Sequence, residues 1–284
     1  MEEINEIEEK ETKKGSKTKM IIIIILLLFV LLIMYMRFVG THNFIVKEYG
    51  LYSEKLPSSF NGLKVIHLTD IHYGKMGKEK LNKIVEDVNN NNPDIVVFTG
   101  DLYDEFTVLT DTAKEEIIEC FNKINARLGK FAVSGNHDYS NEGYEQLITD
   151  SGFTYLNSDK VDLFSDSETP ISIYGYPSYL KDNPNYDIDN TDNYKIALIH
   201  EPDAINNIID KDFDLVLAGH SHGGQVRLPF IGAIRKVDGS RKYYEAFYDV
   251  NGTPLYISFG LGETEYKIRF FDRPSYNMYR IYKK

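Results

Sequence analysis

Sulfur and positive charge are what this sequence is short of. Its one cysteine, Cys120, cannot close an intrachain disulfide or supply a cysteine-rich zinc site, so any bound metal must be held by His, Asp, Asn or Glu. With 43 acidic residues against 32 Lys plus Arg, the formal charge is -11, which argues against a broad electrostatic grip on DNA or RNA. The 21 tyrosines and 16 phenylalanines, lacking a basic groove, are expected to pack in the core and on the surface rather than stack on bases. There is no internal repeat, and beyond residue 60 no shift in composition demands a further boundary.

The 284 residues are 42% hydrophobic, enough for one substantial core. A single long apolar run, Met20 to Met36, lies between Lys19 and Arg37 and extends through Phe38 and Val39 if Arg37 snorkels. It is longer than an ordinary signal-peptide core and lacks a small-x-small cleavage site after it, which favours a retained membrane anchor over a cleaved leader. Five lysines precede the run, at positions 10, 13, 14, 17 and 19, and few basic residues follow it closely. The positive-inside rule then assigns residues 1–19 to a cytoplasmic tail, 20–39 to a transmembrane anchor and 40–60 to a linker. Residues 61–284 form the body, outside the cytoplasm. No oligomeric state is set by these features.

In the body, short β-favouring runs alternate with helical stretches. Lys64–Thr69, Asp94–Thr99, Lys130–Ser134, Ile171–Tyr174, Lys195–Ile199, Phe213–Ala218 and Pro254–Phe259 are expected strands. Lys78–Asn89 and Thr110–Ala126 carry apolar residues at helical spacing. The alternation predicts an α/β fold, and the strand-rich second half predicts a second sheet facing the first, flanked by helices. Asp182–Asn193 has little to bury and is expected to be a loop.

Five of the seven histidines fall just after predicted strands or in Gly-containing turns, within TDIHYG, SGNHD, IHEP and GHSHGG. A fifth segment, TGDLYD at Thr99–Asp104, ends another strand with carboxylates. Strand ends in an α/β sheet share one crevice, so residues far apart in sequence meet there. Asp70, His72, Asp101, Asn136, His200, His220 and His222 together offer enough oxygen and nitrogen for two cations, with Asp101 as the bridging carboxylate. Any one of them alone would be an ordinary turn residue, cap or packed histidine; His67 and His42 are assigned to those roles, and the joint pattern is what points to metal. A mean field this acidic would repel a phosphate substrate, and bound cations are a local remedy.

Taken in order, DIH at Asp70–His72, GD at Gly100–Asp101, GNHD at Gly135–Asp138, His200 and GHSH at Gly219–His222 resemble the calcineurin-like metallophosphoesterase family. The likeness spans roughly residues 60–265 with no ligand position missing. GHSHGGQVRLP behind one membrane segment is similar to the membrane-anchored bacterial branch. The resemblance implies a metallophosphoesterase-like two-sheet sandwich and a phosphoester hydrolase. One metal would sit on Asp70, His72, Asp101 and His222, the other on Asp101, Asn136, His200 and His220. It also implies a metal-held water or hydroxide for in-line attack, manganese or iron ahead of zinc, His137 as proton donor to the leaving oxygen, and Asp104 as the acidic partner of His137. Asp138 is expected to support the site rather than ligate, and Gln225 and Arg227 stay open between substrate contact and surface structure. The substrate class is a phosphate-containing small molecule or lipid, such as a lipid-linked phosphodiester or pyrophosphate met at the membrane bilayer. No specific nucleic acid is expected. The alternatives are a noncatalytic metal-binding envelope module and a nuclease.

Overall fold

The computed structural model describes residues 2–104, 108–140, 142–189 and 191–284, with side chains from residue 16 onward. Lys10, Lys13 and Lys14, which bear on the orientation of the tail, lie outside the described side chains, and Asn190 lies outside the described part of the polar stretch 182–193. In chain order the helices are α1 (Glu2–Met34), the one-turn α2 (Tyr73–Met76), α3 (Lys78–Asn90), α4 (Asp111–Asn122) and α5 (Tyr144–Asp150). The first seven strands are β1 (Ile45–Ser53), β2 (Leu63–Leu68), β3 (Ile95–Phe98), β4 (Gly129–Ala132), β5 (Thr154–Tyr155), β6 (Asp159–Leu163) and β7 (Ile171–Gly175). They are followed by β8 (Tyr194–Leu198), β9 (Leu215–Ala218), β10 (Arg227–Leu228), β11 (Gly232–Ala233), β12 (Phe247–Val250), β13 (Thr253–Ile257) and β14 (Ser275–Lys283).

Two six-stranded sheets form the body, ordered β1-β14-β2-β3-β4-β5 and β12-β13-β9-β8-β7-β6. Their central strands β2, β3, β4 and β7, β8, β9 run parallel within each sheet. Both faces of these strands are covered, which is why they read as continuous apolar runs rather than alternating ones. Val65, Val97 and Phe131 of the first sheet meet Ile173, Ile196 and Leu217 of the second between the layers. The other face of the first sheet takes the apolar stripes of α3 (Leu81, Ile84, Val85, Val88) and α4 (Ile117, Cys120, Phe121). Cys120 is therefore a packing residue. On the outer face of the second sheet, Val216, Ala218 and Ile257 are capped by Ala204, Ile205 and Ile208.

The stretch 40–60, expected as a linker, instead supplies β1, which pairs along its whole length with β14. Tyr49 and Leu51 of β1 pack against the core between the sheets. Each faces inward at a two-residue spacing, a strand signal diluted by Lys47, Glu48 and Gly50. α1 continues into a wider turn over Tyr35–Val39, and Ser16–Val39 is long and apolar enough to cross a membrane, with its apolar stretch exposed and only its end touching the body.

His67, in the middle of β2, is fully buried, with Nε2 2.8 Å from the Thr99 hydroxyl and Nδ1 3.5 Å from that of Tyr279. Burial pushes its imidazole from 6.5 down to about 3, against a weaker upward pull from Asp70. The folded chain therefore refuses a proton that the unfolded chain accepts. Stability from this residue is complete above pH 6.5 and lost as pH falls from there toward about 3, at up to roughly 1.4 kcal/mol per pH unit. Replacement His67→Gln is expected to flatten the acid limb of stability measured by denaturant titration; parallel losses in parent and variant between neutral and mildly acid pH would contradict a buried neutral imidazole.

Candidate metal centre

Five loops converge at one end of the sandwich, each following the carboxyl end of a central parallel strand. Those after β2, β3 and β4 bring Asp70 with His72, Asp101, and Asn136 with His137; those after β8 and β9 bring His200, and His220 with His222. The loops are tied to one another directly. Asp70 N donates to Gly100 O at 2.9 Å, His72 N to Asp101 O at 3.1 Å, and His220 N, from the other sheet, to the Asp70 carboxylate at 2.9 Å. A side chain at Gly100, which has φ 94°, would collide with the backbone of Gly135, so two of these turns touch through glycine alone.

Asp70, His72, Asp101, His220 and His222 all hold φ between 46° and 64°. Non-glycine residues in this left-handed region cost free energy, and five in one cluster mark a place where the fold over-determines the backbone to aim side chains.

Those side chains form two buried triads, Asp70, His72 and His222 in one and Asp101, His200 and His220 in the other, each with its ligand atoms within 4.8 Å of one another. In the first, His72 Nε2 is 3.1 Å from His222 Nε2, which is 3.2 Å from Asp70 Oδ1. Asp70 Oδ1 is buried without a hydrogen-bond donor among the described residues. In the second, the proton positions are fixed by their partners. His200 Nδ1 is 2.6 Å from Thr99 O and His220 Nε2 is 2.6 Å from Asp238 O, and a carbonyl only accepts. The remaining nitrogens, His200 Nε2 and His220 Nδ1, then carry lone pairs, yet they face each other at 3.2 Å. Asn136 Oδ1 and Asp101 Oδ2, two more acceptors, each lie 3.2 Å from His200 Nε2. With both rings neutral, four acceptors crowded in a dry pocket repel unless a cation stands among them. Against burial, Asp101 pushes the His200 imidazole well up, so a proton on its Nε2 answers that demand in the metal-free chain and a metal ion answers it in the loaded one; the donor set fits such an ion.

Asp101 lies between the triads. Its Oδ2 is 3.8 Å from His72 Nε2 as well as 3.2 Å from His200, while its Oδ1 accepts from His137 N at 2.9 Å. Burial alone would raise the Asp101 carboxyl; in the metal-free chain the charge on a protonated His200, first among its neighbours, outweighs burial and holds the group well below the usual carboxylate range, and Asp101 in turn pushes the His200 imidazole up. Burial holds His72 down to about 3, leaving it neutral, as a metal ligand must be.

A model of the calcineurin-like phosphoesterase family matches residues 63–224, the interval that contains every one of these ligands. The chain belongs to the calcineurin-like phosphoesterase family. Among relatives, the uncharacterized metallophosphoesterase YkuE of Bacillus subtilis is 31% identical over 87% of this chain and 88% of its own length. A transmembrane protein with metallophosphoesterase domain of Danio rerio is 33% identical over 61% of this chain, which spans 43% of that protein. A solved structure, Pseudomonas putida nuclease MPE, aligns with 69% of this chain and 74% of its own at 13% identity and a TM-score of 0.37, too distant to bear on fold or substrate. Membership and the paired triads together make the protein an enzyme, a metallophosphoesterase.

Beside this phosphoesterase centre opens a cavity of about 210 Å³. His137 lines it with its ring edge-on to His72 and Nε2 3.8 Å from Asp101 Oδ2. Its Nδ1 has no hydrogen-bond partner among the described residues. Asp104 also lines the cavity, where it pairs with Lys75 at 2.8 Å. Asp138 lies behind the ligands: its carboxylate accepts from the backbone N–H groups of Asp101, Leu102, Tyr103 and Gly135 at 2.7–3.2 Å and so knits two loops together. Burial and the Asp101 charge push its carboxyl up to about 7 while those N–H donors pull it back. Gln225 lines the cavity but is bonded to Thr264; Arg227 turns away to Glu245 and the Gly223 carbonyl, a structural role.

Three residues of the site had no sequence signal. Arg235 and Glu265 line the cavity as a bidentate pair at 2.8 Å from segments 30 residues apart. Arg269 is wholly buried, paired with Asp272 at 3.0 Å, with its guanidinium 3.3 Å from His222 Nδ1 and donating to the Phe259, Gly260 and Gly262 carbonyls. Nothing in its neighbours in sequence, Ile268 and Phe270, announces that position.

Asp101→Asn is expected to lower bound metal from about two ions per chain to fewer than one, as read by elemental analysis after gentle purification. Retention of both ions would contradict the placement of Asp101 between the triads.

Proposed function

We propose that the protein is a membrane-anchored hydrolase of lipid-linked phosphodiester or pyrophosphate bonds, built on a dinuclear centre with Asp101 shared. The observation that carries the dinuclear part is the pair of buried triads, with the Asp101 carboxylate 3.2 Å from His200 of its own triad and 3.8 Å from His72 of the other. On this reading Asp70, His72, Asp101 and His222 hold one ion, and Asp101, Asn136, His200 and His220 the other. When bound, the two ions supply charge compensation for the phosphoryl oxygens and lower the pKa of water near them. Mixed nitrogen and oxygen ligands suit manganese, iron and zinc alike, and manganese or iron is favoured.

The chain's own residues do the rest. The cavity wall is acidic, with Asp101, Asp104, Asp238 and Glu265, and its lining cation, Arg235, is already paired with Glu265. A phosphate therefore enters only where the metal charge outweighs that wall. His137, partly exposed to the cavity, gives its proton to the leaving oxygen, which makes expulsion of an alkoxide or phosphate easier. Asp104, on the same wall, is its acidic partner and is also paired with Lys75 at 2.8 Å. Asp138 keeps the Asp101 and Asn136 turns in register.

The membrane part rests on α1. At about 1.5 Å per residue, the 24 residues Ser16–Val39 reach across a hydrocarbon core. Its end is bound to the body: Arg269 N donates to Met36 O at 3.1 Å, Arg37 to Lys267 O at 3.1 Å, and the Tyr35 and Phe270 rings meet edge-on. The lysines before the apolar run favour a cytoplasmic N-terminus with the catalytic body outside. The Danio rerio relative, named a transmembrane protein, supports the anchored reading. An enzyme held at an interface searches for lipid substrates in two dimensions.

His137→Gln is expected to cut turnover of an aryl phosphodiester by about 10²–10⁴-fold with both metals retained; loss of metal in step with activity would make His137 a ligand. In a panel of lipid pyrophosphates, lipid phosphodiesters, nucleic acids and phosphomonoesters, the lipid-linked bonds are expected to turn over fastest. A preference for nucleic acid kept at moderate salt would establish a nuclease instead, and metal binding with no turnover on any of them a noncatalytic module.

A further inference from the structure

A second apolar feature of the body lies apart from α1. The β10–β11 hairpin carries Leu228, Phe230, Ile231 and Ile234 within seven residues, all exposed, with Phe230 at 108% and Ile231 at 72%. Phe271, 68% exposed, stands on the neighbouring segment. Elsewhere in the described part of the body, large exposed apolar side chains are spaced singly along the chain, which is ordinary for a soluble surface. A cluster at a hairpin tip is not, because it leaves contiguous apolar area in water with nothing folded over it.

The hairpin is rooted where α1 ends. Arg227 N donates to Phe270 O and Phe270 N to Gln225 O, each at 2.9 Å; the Phe270 ring contacts both Tyr35 of the α1 extension and Phe271. From Arg227 to the tip is three residues, at most about 10 Å of strand. The hairpin is also stiff: Leu228 pairs with Gly232, and Arg227 is clamped by Glu245 and the Gly223 carbonyl. Arg37 and Arg273 flank this region with positive charge, suited to lipid phosphates at the depth where the tip would sit.

We infer that the Phe230–Ile231 tip and Phe271 dock into the phospholipid bilayer beside α1, as a second and interfacial contact. This rests on the anchored reading of α1 and deepens it. A lone helix, even with its end bound to the body, can rotate and tilt in the bilayer and carry the body with it, whereas a second contact fixes which face meets the lipid. The face so fixed matters, because the segment carrying the tip lines the catalytic cavity on both sides of the hairpin, with Gly224 and Gln225 before it and Arg235 and Val237 after it. Docking therefore holds the cavity within a hairpin's length of the lipid headgroups, and selects substrates whose phosphorus lies at the membrane surface. Apolar side chains at the tip enter the boundary between headgroups and acyl chains.

The chain contains no tryptophan, so a single introduced one is an unshared fluorescent reporter. Three full-length variants reconstituted in vesicles of phosphatidylcholine and phosphatidylglycerol, with acyl chains brominated near the glycerol end, test the inference. They are Phe230→Trp at the tip, Phe29→Trp within α1, and Tyr52→Trp near the far end of β1. Emission from Phe230→Trp is expected to shift to the blue and to lose about half its intensity to bromine, as an interfacial side chain does, with Tyr52→Trp unquenched. Quenching of Phe29→Trp without that of Phe230→Trp would leave the anchor standing and overturn the docked hairpin. Absence of quenching at both would overturn the anchor and the inference together, and equal quenching at Tyr52→Trp would overturn the claim that one face is selected.

Discussion

Nitrogens that have already committed their protons cannot face one another in a dry pocket unless something positive lies between them. In this protein Thr99 and Asp238 each offer a backbone carbonyl to one edge of a histidine, and that edge must carry the hydrogen. In the neutral rings the opposite edges of His200 and His220 are lone pairs pointed at each other, with Asn136 and Asp101 oxygens closing the group, and a proton on His200 or a metal cation is what relieves them. Much else in the architecture serves to hold this otherwise repulsive arrangement together. Loops from both sheets are cross-bonded through Asp70, Gly100 and His220, glycine lets the turns touch, and Asp138 gathers four N–H groups behind the ligands. Five non-glycine residues stay in a left-handed backbone conformation as a result. Strain of this kind persists only where the surroundings over-determine it, and here the surroundings are two mixed sheets whose buried central strands run parallel.

The central strands and the polar residues that converge at their ends were the most legible part of the sequence, for one shared reason. Strands such as Ile95–Phe98 and Leu215–Ala218 are buried on both faces, so they appear as uninterrupted apolar runs, and each ends in a turn that must carry Gly and a ligand. Runs of that kind survive inspection one residue at a time. The sheet edge did not: β1 mixes lysine, glutamate and glycine into a tyrosine-rich pattern because one of its faces meets water, so its stretch reads as a linker, and β14 beside it, though buried over Ser275–Tyr279, carries serine and asparagine among tyrosines in place of an apolar run. Their pairing joins residues 45–53 to 275–283, a contact that local pattern cannot announce.

Within the site, what sequence could not supply was direction. Asp104 and His137 both reach the cavity, yet the carboxylate lies against Lys75, a residue of the one-turn α2 that no motif marks. Arg227, adjacent to the ligand-rich GHSHGG segment, points away from the cavity, whereas Arg235, eight residues later, lines it. The difference comes from the hairpin between them, whose two strands carry the chain out to an apolar tip and back. Arg269 shows the same limit from the other side. A buried guanidinium beside His222 also has its backbone N–H bonded to the end of α1, so the metal centre and the start of the body share one residue that composition never singled out.

The central claim is that cations occupy both buried triads. Diffraction from crystals of the gently purified protein, recorded above and below the absorption edges of manganese, iron and zinc, addresses it directly and identifies the element as well. The account predicts two anomalous peaks roughly 3.5–4 Å apart, one among Asp70, His72 and His222, the other among Asp101, Asn136, His200 and His220, with the Asp101 carboxylate touching both. Metal-replete crystals with no peak at either triad, and His200 or His220 turned to accept a proton from its neighbour, would contradict it.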